Sequence, residues 1–287
     1  MKLLMKFVFS VVGILLVSGL PTLLTGMLAG EFPIAEYFRT LGMVLRDLWP
    51  LQDLSVYNYR IQQEMPVFPK ILEYISYSLQ ILFLALAAAV FFAIVFTVGT
   101  MLLGEKLRDR VKMALYFLES LPDLLIIMLM QLAVIFFFKQ TGILVSKIAV
   151  LGDDRIYWLP VFCLALLPTI QLYRLCMLTF QEEERKMYVE LARSLGFSRV
   201  FIVLVHMFRN AIISVFFQSK KTMWFMLSNL FVLELMFNLP GIMLFLKENM
   251  TPQMFIVTVF SFFLPMFLLY NIGEWFFLRR FRGKEVA

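Results

Sequence analysis

The sequence holds one histidine and two cysteines, and only 16% of its 287 residues are charged. A structural or catalytic metal centre needs three or four His, Cys or carboxylate ligands within reach of one ion, so no metal site is expected. Cys163 and Cys176 lie in one apolar run, which argues against a disulfide framework. There is no Gly-x-x-x-x-Gly-Lys-Ser/Thr loop to cradle a nucleotide phosphate, no His-Glu-x-x-His, and no nucleophile set beside a base, so no catalytic residue is expected. Internal repeats and low-complexity tracts are absent too. What is abundant is apolar: 61% of residues, including 32 Phe and 19 Met, against about 45–50% in soluble domains. A soluble chain of roughly 300 residues buries only about 75% of its unfolded surface, so this composition excludes a soluble globular protein. The solvent for most of the chain is lipid.

Six apolar runs stand out: Leu3–Met27, Leu79–Leu103, Ala114–Phe138, Tyr157–Phe180, Ala211–Phe237 and Met254–Phe277. Each is long enough to cross a hydrocarbon core of roughly 30 Å as a helix. Lys220 and Lys221 interrupt the fifth, whose lipid-facing part is expected to start near Thr222. The reading is an all-α, polytopic membrane protein with six transmembrane helices. With Lys6 counted at the N-terminus, Lys220 and Lys221 in the loop before the fifth span, and Arg174 left out, Lys and Arg divide 17 to 8 between the two sides. The richer side is the N-terminus, the 104–113 loop, the 181–221 loop and the tail. By the positive-inside rule, both termini and the 181–221 loop are cytoplasmic. The net charge of +6 therefore reports orientation, not a nucleic-acid partner. The first run exceeds the roughly 7–15 residues of a cleaved signal core and is expected to remain as a helix. Its Gly13, Gly19, Pro21 and Gly26 suggest close helix contact or a kink. The organisation read from these runs is a first transmembrane helix over 1–28, an external segment over 29–78 and a transmembrane domain over 79–285. A short amphipathic helix is expected near Glu36–Trp49.

The 181–221 loop carries the most information. Met187, Leu191, Ala192 and Leu195 share one face of a helix, with Glu190 and Arg193 beside it. Gly196 suits the position just past a helix end, where positive φ is cheap for glycine. Ser198 suits the N-cap of a second helix that starts near Arg199 and runs into the fifth span. Such a short helix, held on two membrane helices, fits either the docking of a soluble partner or a place in the lipid interface.

These residues, with others in order along the chain, resemble the motifs of inner-membrane permeases of binding-protein-dependent ATP-binding cassette importers. Glu190, Ala192 and Gly196 stand where that family's EAA loop has Glu-Ala-Ala, three residues, then Gly, with Leu191 in place of the middle Ala. His206, Arg209, Asn210 and Ala211 match the His-x-x-Arg-Asn-Ala of its peptide and nickel branch. Val232-Leu233-Glu234 through Phe237, then Pro240-Gly241, is similar to that branch's Val-x-Glu-x-x-Phe-x-x-Pro-Gly, and Ser120-Leu121-Pro122 and Leu159-Pro160 through Arg174 match further elements. Departures include Ser214 where the branch has Pro, Met243 for a second Gly, and Asn249-Met250-Thr251-Pro252 without the usual Asp.

The resemblance implies a type I importer permease fold in a bacterial inner membrane, spanning it several times. It implies a coupling loop at about 182–210, in which Glu190, Ala192, Arg193, Gly196 and Arg199 dock an ATPase, while His206, Arg209, Asn210, Pro240 and Gly241 are structural. The implied partners are a second permease subunit (a different chain), two ATPase subunits and an extracytoplasmic binding protein. No cofactor is expected on this chain, ATP and Mg being expected on the ATPase. Peptide is the implied cargo, with nickel or another small solute as the alternative.

Charges inside the spans cost about 2.5–3.5 kcal/mol each at a helix centre unless they find a partner or water. Glu119 and Asp123 are four apart in the third span, on one face and flanking Pro122, and Arg174 in the fourth can pair with either. An ion pair or a pathway lining both fit, and Glu234 suits a gate or an interface near the outer end of the fifth span. Glu274 fits the interface beside Trp275. His206, alone, fits packing or hydrogen bonding. A stand-alone secondary transporter or channel, or a membrane enzyme or scaffold, remain as rival classes.

Overall fold

The computed structural model describes residues 2–28, 30, 33–49, 54–58, 62–150, 152 and 154–282. Among them, five helices are long and apolar enough to cross a membrane, and a bent pair, Arg199–Met207 with Ala211–Phe237, makes a sixth when taken as one span. The architecture is all-α and polytopic. The chain divides into two compact units, Met1–Leu79 with Gly241–Ala287, and Gln80–Pro240.

In the first unit, α1 (Lys2–Ser18) and α2 (Leu20–Leu28) form the expected first span with a break at Gly19. Pro21 has no N–H to give the Val17 carbonyl, so the helical ladder cannot run through. Gly19 also admits an aromatic ring, since a Cβ there would meet the Tyr37 ring at 2.7 Å. Tyr37 belongs to α3 (Ile34–Asp47) and donates its hydroxyl to the Leu16 carbonyl at 2.8 Å. The amphipathic helix expected near 36–49 is this one, and it buries Tyr37, Leu41 and Val44 at i, i+4, i+7. Beyond it lies an antiparallel hairpin, β1 (Ser55–Asn58) and β2 (Gln63–Pro66), that nothing in the sequence pattern announced. Four-residue strands are too short to show a period of two clearly.

The helix α4 (Lys70–Leu102) starts well before the expected Leu79 and, at 33 residues, is about 50 Å long. Ser78 on it accepts the Ile242 N–H at 2.9 Å, which satisfies a donor in the first turn of α11 (Ile242–Glu248). The final span, α12 (Pro252–Arg282), is N-capped by Thr251, whose hydroxyl accepts the Met254 N–H at 3.2 Å, with Pro252 at the first helical position. Phe263 and Phe267 of α12 pack against Phe7 of α1.

In the second unit the expected third span, Ala114–Phe138, is two helices. α5 (Glu105–Glu119) ends at Ser120, and α6 (Asp123–Thr141) begins after Pro122, whose backbone is extended at φ −63°, ψ 141°. Pro122 cannot donate to the Leu118 carbonyl, so the chain turns instead of continuing. Glu119 and Asp123 therefore do not share a helix face, contrary to the reading from their spacing. α7 (Trp158–Glu184) is the central helix and is far more buried than α6. Small residues at Cys163, Ala165, Thr169 and Cys176, all buried, let its neighbours approach closely. It packs most extensively on α10 (Phe208–Phe237). At the C-terminal end of α10, Gln131 donates to the carbonyls of Ile148 and Met236, and Asn238 donates to that of Val150.

Candidate functional site: the segment between α7 and α10

α7 ends at Glu184, and two residues later α8 (Met187–Ser194) begins. Isolated helices of eight residues are marginal in water, so α8 depends on its surroundings. Its C-terminus closes in a Schellman motif: the Gly196 N–H donates to the Arg193 carbonyl at 3.0 Å, and the Phe197 N–H to the Ala192 carbonyl at 3.1 Å. Gly196 holds φ +82°, and an added Cβ would meet nothing within 4 Å, so backbone geometry alone demands glycine here. Ser198 then caps α9 (Arg199–Phe201), its hydroxyl accepting the Phe201 N–H at 3.3 Å. A π-helical turn over Ile202–Met207 follows, and the chain bends by 61° into α10.

The inward side of α8 differs from the face read in the sequence. Val189 and Ala192 are buried, whereas Met187, Leu191 and Leu195 are 87%, 61% and 67% exposed. Periodicity finds an apolar stripe but not which stripe faces inward, and here the small Val and Ala pack while the larger side chains point out. Glu190 is exposed beside that outward row and makes no ion pair with another described residue.

Two carboxylates at the end of α7 hold α8 in place. Glu183, buried, accepts from the Tyr188 hydroxyl and from Lys186. Glu184 bridges two arginines, taking Arg108 Nη1 on Oε2 at 2.9 Å and Arg193 Nη2 on Oε1 at 3.0 Å. Arg108, on α5, is buried, and its Nη2 also donates to the Met101 carbonyl at 3.2 Å. Arg108 and Glu184 were not singled out in the sequence, where they stand as one loop cation and one of three consecutive glutamates. A cleft of about 1040 Å³ opens beside them, with Lys112, Arg185, Glu190, Arg193 and Arg199 among its lining.

The remaining sequence candidates are scattered. His206, in the π-helical turn, packs its ring against Phe197 and Phe201, with centroids 6.1 and 5.6 Å away. Arg209 is exposed, and the side chain of Asn210 lies outside the described residues. Pro240 follows the end of α10, whose cap Asn238 is left-handed at φ 50°, and Gly241 is the buried N-cap of α11. Glu234, on α10, is fully buried. Asp123 accepts a hydrogen bond from Asn229, whereas Glu119 pairs with Arg174 at 3.3 Å. Arg174→Gln leaves a carboxylate that is 16% exposed without its cation, and is expected to cost about 1–3 kcal/mol. A lowered thermal stability in detergent, recovered when Glu119→Gln is added, is the result to look for; an unchanged single variant would remove the pair from the account of stability.

No curated protein matches the chain. A profile of the family of binding-protein-dependent transport system inner membrane components matches residues 85–279. The matched stretch takes in α5 to α11 with most of α4 and α12, and so the whole segment built above. With more than half of its length matched and with its apolar helices in place, the chain belongs to the binding-protein-dependent transport system inner membrane components.

Proposed function

We propose that this protein forms the translocation pathway of an ATP-binding cassette importer for peptides, and that α8 is the knob through which a separate ATPase drives it. The observation that carries the reading is the outward row Met187, Leu191 and Leu195 with Glu190 beside it. Exposed large apolar side chains on a charged segment between two spans are costly in water and stabilising against an apolar cleft. The excess of Lys and Arg on this side of the spans supports a cytoplasmic position for the segment and for both termini. ATP and Mg bind the two ATPase subunits, and closure of those subunits shifts α8 as a rigid body, moving the helices it is fastened to.

A second, different permease chain completes the pathway, and an extracytoplasmic binding protein delivers cargo. The His206, Arg209, Asn210 and Pro240-Gly241 motifs support the peptide and nickel branch, with peptide as the cargo. The test is uptake into proteoliposomes holding the permease pair, the ATPases and the binding protein. ATP-dependent uptake of radiolabelled di- to pentapeptides is expected. Uptake of ⁶³Ni²⁺ in place of peptide would overturn the cargo, and uptake by this chain alone without ATP would overturn the importer reading in favour of a secondary transporter.

A further inference from the structure

α8 meets the rest of its unit through little apolar area, since Val189 and Ala192 are its buried side chains. The link from α7 is only Arg185–Lys186. A push on such a helix can be absorbed by tilting it, unless something stiffer resists. Glu184 supplies that resistance. Its two oxygens are divided between Arg193 on α8 and Arg108 on α5, and Arg108 forks onward to the Met101 carbonyl in the last turn of α4. That carbonyl has no partner within its own helix, so the guanidinium caps α4 while it neutralises Glu184. The Arg108 Nε is buried and finds no acceptor among the described residues, which leaves Glu184 and Met101 as the groups that orient it. Charge-assisted, forked bonds of this kind are directional as well as strong.

We propose that Arg108 and Glu184 are positioning residues for transport: they fasten α8 to the ends of α4, α5 and α7 so that its displacement reaches all three helices together. This rests on the reading of α8 as the ATPase-docking helix, and the experiment separates the two claims. The assembled importer, with Cys163 and Cys176 replaced by Ala, carries spin labels at Lys106→Cys on α5 and Ser194→Cys at the end of α8. Distances between labels are measured without nucleotide and after trapping with ATP and vanadate. In parallel, Met187→Cys is cross-linked to the ATPase.

The label distance is expected to be the same in both states when Arg108 and Glu184 are intact. With Glu184→Gln it is expected to change between the states, and ATP-driven uptake to fall about tenfold, while the yield of the Met187→Cys cross-link is unchanged. A brace that serves stability alone would lower assembly and leave the label distance independent of nucleotide, and that outcome overturns the proposal. So does a distance that already changes with Arg108 and Glu184 intact, or full uptake with Glu184→Gln. Failure of Met187→Cys to cross-link with both residues intact would refute the docking reading itself. Should Glu184→Gln not assemble, Arg108→Lys keeps the cation beside Glu184 but cannot reach both acceptors; the same uncoupling is expected from it, and coupled behaviour would overturn the proposal.

Discussion

An importer carrying Glu190→Lys is expected to reach the membrane in normal amount and to transport nothing. Glu190 is exposed on α8 and holds no ion pair within the described residues, so reversing its charge removes no internal contact. Surface substitutions of that kind change stability by about 0.5 kcal/mol or less. At an interface the balance is different. Beside Met187, Leu191 and Leu195, the carboxylate would be desolvated on docking and would need a basic partner on the ATPase. Loss of one member of such a pair costs about 2–5 kcal/mol, and a lysine adds like-charge repulsion. That weakens docking by roughly 30-fold or more. Co-purification of the ATPase with the variant, followed by uptake in proteoliposomes, measures both effects. A normal yield of bound ATPase would remove Glu190 from the docking surface.

Gly196→Val is the second substitution with a large expected effect, and it acts without any clash. A Cβ at Gly196 has open space around it, yet the residue sits at φ +82°. For a β-branched side chain that conformation is a genuine outlier and costs on the order of 1–3 kcal/mol. The chain avoids the cost by leaving the left-handed region, which breaks the paired bonds from Gly196 to Arg193 and from Phe197 to Ala192. The turn then no longer sets the direction from α8 into α9, and the knob is displaced. Transport is expected to drop more than tenfold with Val, to fall by less with Ala, and to stay near its starting level with Asn, which tolerates positive φ. The ordering is the test. If Asn were as damaging as Val, the space above Gly196 and not its backbone angle would be what the site requires.

Much of the architecture was legible because lipid imposes a simple demand. A span needs about 20 apolar residues whatever its neighbours are, so the apolar runs stood out before any contact was known. The amphipathic α3, the cap at Ser198 and the turn at Gly196 were legible as well, since each depends on residues close together in the chain. The break at Ser120–Pro122 was harder to see, because the apolar run continues across it while the helix does not. Pro122 carries the signal, since it closes the run of α5 and stands as the N-cap of α6, which separates Glu119 from Asp123.

By itself, then, the sequence determined that this protein lives in a membrane, roughly where its spans fall, and where the turn at Gly196 and the cap at Ser198 stand. These follow from local properties: the transfer free energy of a run of side chains, the φ tolerance of one glycine, the hydroxyl of one serine. Only the tertiary structure decided which side of α8 faces out, since Val189, Ala192, Met187 and Leu191 are all apolar and only packing tells them apart. It also decided that Arg108 and Glu184, 76 residues apart, belong to one ionic bridge. Neither choice is a property of a segment. Both are settled by which helices meet, and there a buried guanidinium must find its acceptors wherever along the chain they lie.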